Sequence, residues 1–146
     1  MATLFDRITR MMRGELDRPP VARLLGFTIA SVERGRVTVK LETDMTRHAN
    51  AVGTLHGGIL CDIADAAMGM SHASLLEDGE SFTTIELSIN YLRPVWTSTL
   101  TATGEVVNRG RTISLIECTI VDESGRLIAK AKSTCLTLRG EAAKGR

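Results

Sequence analysis

The chain has 146 residues, the length of one domain with a substantial core. Hydrophobic residues make up 43% and charged residues 24%, an ordinary balance for a globular chain in water. A formal net charge of +1 and an aromatic content of 3% exclude the basic field and stacking platform that nucleic-acid binding needs.

Residues 1–13 read as an amphipathic helix. Leu4, Phe5, Ile8, Met11 and Met12 share one face, opposite Asp6, Arg7, Arg10 and Arg13. Asp6 and the short length weigh against a membrane surface, so packing onto the domain or covering a pocket is expected. Asp17, Pro19 and Pro20 mark a second helix start and Gly26 its stop, predicting a short helix from Pro20 to Leu25. Residues 1–25 thus form an N-terminal helical segment, 26–138 the main domain and 139–146 a polar tail. A hairpin is expected over 27–34 and 36–43, turning at Arg34-Gly35-Arg36. Four strands are predicted later, over 81–92, 98–107, 112–121 and 126–138. Ile85, Leu87, Ile89 and Tyr91 alternate on one face of the first. Asn108-Arg109-Gly110 and Asp122 to Gly125 are tight turns, which join antiparallel neighbours. Cys61, Cys118 and Cys135 show no zinc or CxxC spacing and read as free thiols in a reducing compartment. The start shows neither a continuous apolar run nor a small-residue cleavage site, so a cytoplasmic protein is expected.

Between hairpin and strands lies Asn50-Ala51-Val52-Gly53-Thr54-Leu55-His56-Gly57-Gly58, running into an apolar segment from Ile59 to Leu76. Ile59, Ile63, Ala66, Ala67 and Met70 recur at helical spacing. Apolar on nearly all sides, this helix is expected to be buried, and its alanines and Gly69 allow a close approach. Its two acids, Asp62 and Asp65, argue against a membrane span. A carboxylate on a buried helix must be paired or used. The glycines at the helix start offer free N–H groups and the positive dipole end, which suit a developing oxyanion. Gly57 and Asp65 are eight residues apart, about 12 Å along one axis, too far to act on one carbonyl. Two antiparallel copies would bring one chain's Gly57 near the other's Asp65, which predicts at least a homodimer with composite sites. One buried helix against an antiparallel sheet is an α+β layer pair.

Over about residues 22–138 the chain resembles the hotdog-fold acyl-CoA thioesterases of the phenylacetic-acid-degradation type. Asn50-x-x-Gly53-Thr54-Leu55-His56-Gly57-Gly58 and Asp65 carry the resemblance, with Asn90 to Pro94 and Gly110-Arg111-Thr112. It implies a six-stranded antiparallel sheet wrapped around the long central helix. It implies a dimer with a continuous sheet, paired again into a homotetramer. It implies hydrolysis of an acyl-CoA substrate, aryl or medium-chain, at the dimer interface, with no metal or redox cofactor. In that scheme Asp65 is the nucleophile or the general base, and the Gly57 N–H polarises the thioester carbonyl. His56 supports Gly57 or the leaving thiolate. Asn50 orients water or the carbonyl, and Thr84 positions water and carboxylate. Arg93, Arg109 and Arg111 face the CoA phosphates.

Each residue has a plainer reading. Asp65 is then a buried acid satisfied by a neighbour, His56 closes a turn, and Asn50 accepts a left-handed backbone. Gly57 and Gly58 only permit close packing. Thr84 is an ordinary strand residue, the arginines are solvated, and Met68 and Met70 fill the core. Asp62 is the rival carboxylate. Ser71 and His72, adjacent on a helix and without a G-x-S-x-G elbow, do not make a serine hydrolase. The competing functions are a non-catalytic acyl-CoA-binding module and a hydratase on the same fold.

Overall fold

The computed structural model describes residues 2–145. Its elements are α1 (Leu4–Met12), α2 (Pro20–Leu25), β1 (Thr28–Glu33), β2 (Arg36–Glu42), α3 (Met45–His48), α4 (Gly57–Ala73), β3 (Ser81–Tyr91), β4 (Thr99–Arg109), β5 (Ile113–Val121) and β6 (Leu127–Leu138), with a 3₁₀ turn at Gly140–Ala143. The six strands form one antiparallel sheet in the order β1-β2-β4-β5-β6-β3. It wraps α4, the α+β hotdog architecture.

The glycines set the punctuation. Gly26 ends α2 at φ 91° and Gly35 turns the first hairpin at φ 79°, angles that a side chain resists. Tight turns make neighbours of β4, β5 and β6. The 92–98 segment is different. It leaves the sheet with Pro94, which has no N–H for a ladder, and buries Val95. The chain thereby crosses β5 and β6, and β3 becomes an edge strand.

Helix α4 lies directly on β4. A Cβ on Gly104 would stand 2.5 Å from the Ala67 carbonyl oxygen, so helix backbone and strand meet where neither has bulk. Ala64 and Ala67 are fully buried there, with Ile63 and Met68 alongside and Val39, Leu41, Leu100, Ile116 and Ile120 opposite. Helix α4, expected to be buried with a second subunit covering part of it, leaves one face of its N-terminal half open in the single chain. Cys61 is half-buried beneath Tyr91 of β3, and Asp62 and Asp65 are exposed on the single chain although Thr84 of β3 reaches Asp65.

The C-terminal half is closed. Helix α1, started by a capping box between Thr3 and Asp6, sets Ile8 against Ile29, Val37 and Ala73. Arg34 lies 4.7 Å from the centroid of the Phe5 ring. Thus α1 packs onto the domain. No helix among the described residues is long and apolar enough to cross a membrane.

Strand β3 holds a second correction. Its register against β6 slips between Thr84 and Glu86, leaving Ile85 as an extra residue. The bulge resets the alternation. Phe82 and Thr84 face α4 before it, Leu87 and Ile89 pack on the core after it, and Ile85 turns outward. Ile85 therefore does not share the face of Leu87, Ile89 and Tyr91.

Candidate active site

The bulge aims Thr84 at α4, where its Oγ1 donates to Asp65 Oδ1 at 3.0 Å. Cys135 Sγ lies 3.8 Å from the same hydroxyl, and burial pushes its thiol pKa up. Asp65 and Thr84 stand at the wall of a pocket of about 240 Å³ between α2, α4 and β3. Ala22, Phe27, Ile29, Met70 and Phe82 make that pocket apolar, and Arg18 brings a positive charge to it.

Two turns back along α4, Gly57 and Gly58 occupy the first helical positions. Their amides have no partner within the helix by position, and His56 makes no side-chain cap. Among the described residues no acceptor sits on them. Tyr91 covers Gly57: its hydroxyl donates to the Gly57 carbonyl at 3.1 Å and lies 3.2 Å from Cys61 Sγ. A Cβ on Gly57 would stand 2.9 Å from the Tyr91 ring, so a side chain there would have to push that exposed ring aside. Contact with Cys61, burial and the Cys61 charge push the Tyr91 pKa up to about 12. This pairing leaves no spacing signal in the residues beyond Tyr91 being the only tyrosine.

Asn50 is held in its own loop. Its Oδ1 accepts from the Val52 and Thr54 amides at 3.0 and 3.1 Å, and its Nδ2 donates to Thr54 Oγ1 at 2.8 Å. The side chain fixes the turn, and the left-handed backbone belongs to Gly53, not Asn50. The loop presents His56, whose imidazole is exposed beside Gly58. Asp62 is exposed on the same side of α4, its pKa raised by burial and then by the charge of Asp65, against the pull of His56.

The three arginines are not brought together. Arg93 borders the cleft over Gly57 and Tyr91. Arg109 lies beyond the other end of α4, donating to the Leu75 carbonyl and to Glu80 Oε2. Arg111 is exposed in the turn that follows. Two buried histidines are structural. His48 Nδ1 accepts from the Asp44 amide at 3.0 Å, so its Nε2 carries the proton toward the Leu25 carbonyl at 2.9 Å. His72 Nε2 lies 3.2 Å from Thr137 Oγ1, and burial, more than Arg109, lowers its pKa to about 4 against the opposing charge of Glu80. Among the described residues no group of three His, Cys, Asp or Glu side chains is placed to hold a metal ion.

The thioesterase superfamily model matches residues 52–129, from the glycine loop through α4 into β6. The chain belongs to the thioesterase superfamily. It is similar to the 1,4-dihydroxy-2-naphthoyl-CoA hydrolase of Listeria monocytogenes, with 31% identity over 110 residues, 75% of this chain and 89% of that one. Acyl-coenzyme A thioesterase 13 of Homo sapiens is 29% identical over 117 residues, 77% of this chain and 81% of that one. The structure of the phenylacetic acid degradation-related protein of Ralstonia eutropha superposes with a TM-score of 0.80 at 31% identity, covering 88% and 98% of the two chains. The protein is thus a thioester hydrolase of the hotdog, phenylacetic-acid-degradation-like kind. In this thioesterase the matched segment contains both ends of the candidate site, the free amides at Gly57 and the Asp65–Thr84 pair.

Proposed function

We propose that the protein hydrolyses an aryl-acyl or medium-chain acyl-CoA to the free acid and CoA, with Asp65 of one protomer and Gly57 of its partner acting on the same thioester. The observation that carries this reading is the Asp65–Thr84 hydrogen bond at the wall of an apolar pocket, on a helix whose first amides are free. The pocket, at about 240 Å³, exceeds the roughly 150 Å³ cavity known to take up benzene. It accepts one ring or a medium chain beside the carboxylate.

Two observations support a homodimer, a separation and an edge. About 12 Å divides Gly57 from Asp65 on one helix. Strand β3 is 11 residues long, has no neighbour on its outer side among the described residues, and exposes Ile85 and Tyr91 at 54% and 51%. Long uncovered edges of this kind are normally blunted or paired. Pairing with the partner's β3 makes one continuous sheet and sets the two α4 helices side by side. We place the protein in the cytoplasm as a homotetramer, a pair of such dimers, in keeping with its resemblance.

The chemistry has two routes. In the base route Asp65 takes a proton from water while the water oxygen bonds to the carbonyl carbon. The π pair moves to the carbonyl oxygen, where the partner's Gly57 N–H and helix dipole hold it. Collapse breaks the C–S bond and releases the CoA thiolate. In the nucleophilic route an Asp65 oxygen itself bonds to the carbonyl carbon, the C–S bond breaks as the CoA thiolate leaves, and water then cleaves the resulting anhydride to the free acid and the Asp65 carboxylate. Thr84 fixes the carboxylate rotamer in either case. His56 stands beside the oxyanion amides, and Asn50 acts by holding the loop that presents His56. Arg93, next to Gly57, is the best placed of the three arginines for a CoA phosphate.

Thiol release from phenylacetyl-, benzoyl-, hexanoyl- and longer acyl-CoAs tests this. Turnover lost in Asp65→Asn and kept in Asp62→Asn supports the activity and the residue together. Tight acyl-CoA binding with no turnover of any ester by folded protein makes the chain a binding module and rejects the proposal.

A further inference from the structure

Arg18 differs from the other arginines. Among those the structure describes, it alone is half-buried rather than exposed. Arg10, Arg36, Arg47, Arg109, Arg126 and Arg139 each pair with a carboxylate. Arg18 pairs with none among the described residues. Its one hydrogen bond runs from Nη1 to the Phe27 carbonyl at 2.7 Å. A guanidinium has five N–H donors in a rigid fork. That bond therefore anchors the side chain and leaves its charge uncompensated. Pro19 and Pro20 follow directly and fix the backbone into α2, so the fork is held in place.

A half-buried cation without a counter-charge is costly unless something is meant to meet it. Arg18 lines the same pocket as Asp65 and Thr84, and the wall between them is apolar. The pocket is therefore polarised: a carboxylate and a hydroxyl mark one part, a guanidinium marks another, and methyls and a ring separate them. Ala22, Phe27 and Phe82 line the same pocket and offer an acyl chain held at Asp65 an apolar surface toward Arg18.

We infer that Arg18 reads the remote end of the acyl group and selects acyl-CoAs whose chain ends in a carboxylate. This rests on the reading of the Asp65 pocket as the acyl site. The fork matches a carboxylate bidentately, which a hydroxyl or methyl cannot reproduce. A dicarboxylic half-thioester also places its free charge away from Asp65, where like charges would repel.

The test compares kcat/KM for adipoyl-CoA and hexanoyl-CoA, which differ in the terminal carboxylate. Wild-type protein is expected to favour adipoyl-CoA by about tenfold or more, the scale of a desolvated charge-assisted pair. In Arg18→Gln the adipoyl-to-hexanoyl ratio falls by about 10- to 100-fold, and Arg18→Lys recovers part of it. A wild-type preference for hexanoyl-CoA overturns the inference without any variant. An equal loss on both esters in Arg18→Gln also overturns it, because the guanidinium then serves the CoA phosphates they share. Release of thiol from hexanoyl-CoA alone leaves the thioesterase reading standing. Release from neither ester removes that reading and the inference with it.

Discussion

The two halves of α4 treat their polar groups in opposite ways. Toward the C-terminus every hydroxyl is committed to the fold. Ser71 Oγ donates to the Ala67 carbonyl at 2.7 Å and accepts from the Val37 amide at 3.0 Å. Ser74 Oγ ties to the Ser71 carbonyl and accepts from Gly35. Helix α1 and Arg34 close over them. Toward the N-terminus the amides of Gly57 and Gly58 are free, Asp62 and Asp65 are uncovered, and His56 caps nothing. Nothing about helix propensity separates the halves. What differs is whether the polar groups are enclosed by other elements of the chain or left facing outward. In the proposed function, the outward-facing groups on this one face are those that meet substrate and a second subunit.

Removing the carboxylate breaks this contrast most severely. Asp65→Asn should lower kcat by about 10²- to 10⁴-fold with the melting temperature little changed. Steady-state kinetics beside thermal melts separate the two effects. The reverse pattern is expected under the closed half. Met68→Ala removes a fully buried side chain and should cost about 2–5 kcal/mol in urea unfolding, with kcat per folded molecule retained.

His72 sharpens the contrast through pH. Its folded pKa of about 4 lies below the free value of 6.5, so between these values the unfolded chain binds the extra proton. Its contribution to stability is complete above about pH 6.5 and is lost as pH falls toward 4. The total is about 3 kcal/mol. Unfolding free energies at pH 7 and pH 4.5 should differ less in His72→Gln than in wild type. An unchanged difference would remove His72 as its source. The smallest effect is at Thr84. Thr84→Ala should reduce kcat about tenfold, and Thr84→Ser, which keeps the hydroxyl, should restore most of it.

The local rules carried far into the fold. Pro20 and Gly26 bounded α2, and Gly35 marked the first hairpin, because each needs a particular φ that the sequence names. The bulge at Ile85 was hidden, since period-two alternation looks unbroken until the partner strand is known. Helix α3 and His48 were hidden for a related reason: their partners are backbone groups of Asp44 and Leu25, which leave no trace in residue type. In the site, Asp65 and the glycines stood out as a charge and free amides on an apolar helix. Thr84 lies 19 residues from Asp65, and only the resemblance to a family linked them. Arg18 was missed, because a single arginine before two prolines carries no spacing signal. The burial of Asp65 expected from its helix depended on a neighbour the single chain does not contain.

In the proposed mechanism one thioester is served by Gly57 of one chain and Asp65 of another. The most direct measurement mixes two inactive variants, Asp65→Asn and Gly57→Val, by co-expression. In a mixed dimer, one of the two sites then holds both intact groups. The account predicts recovery to about a quarter of wild-type activity at equal expression, since about half of the dimers are mixed. Activity no higher than the average of the separately expressed variants would contradict it and return both groups to a single chain.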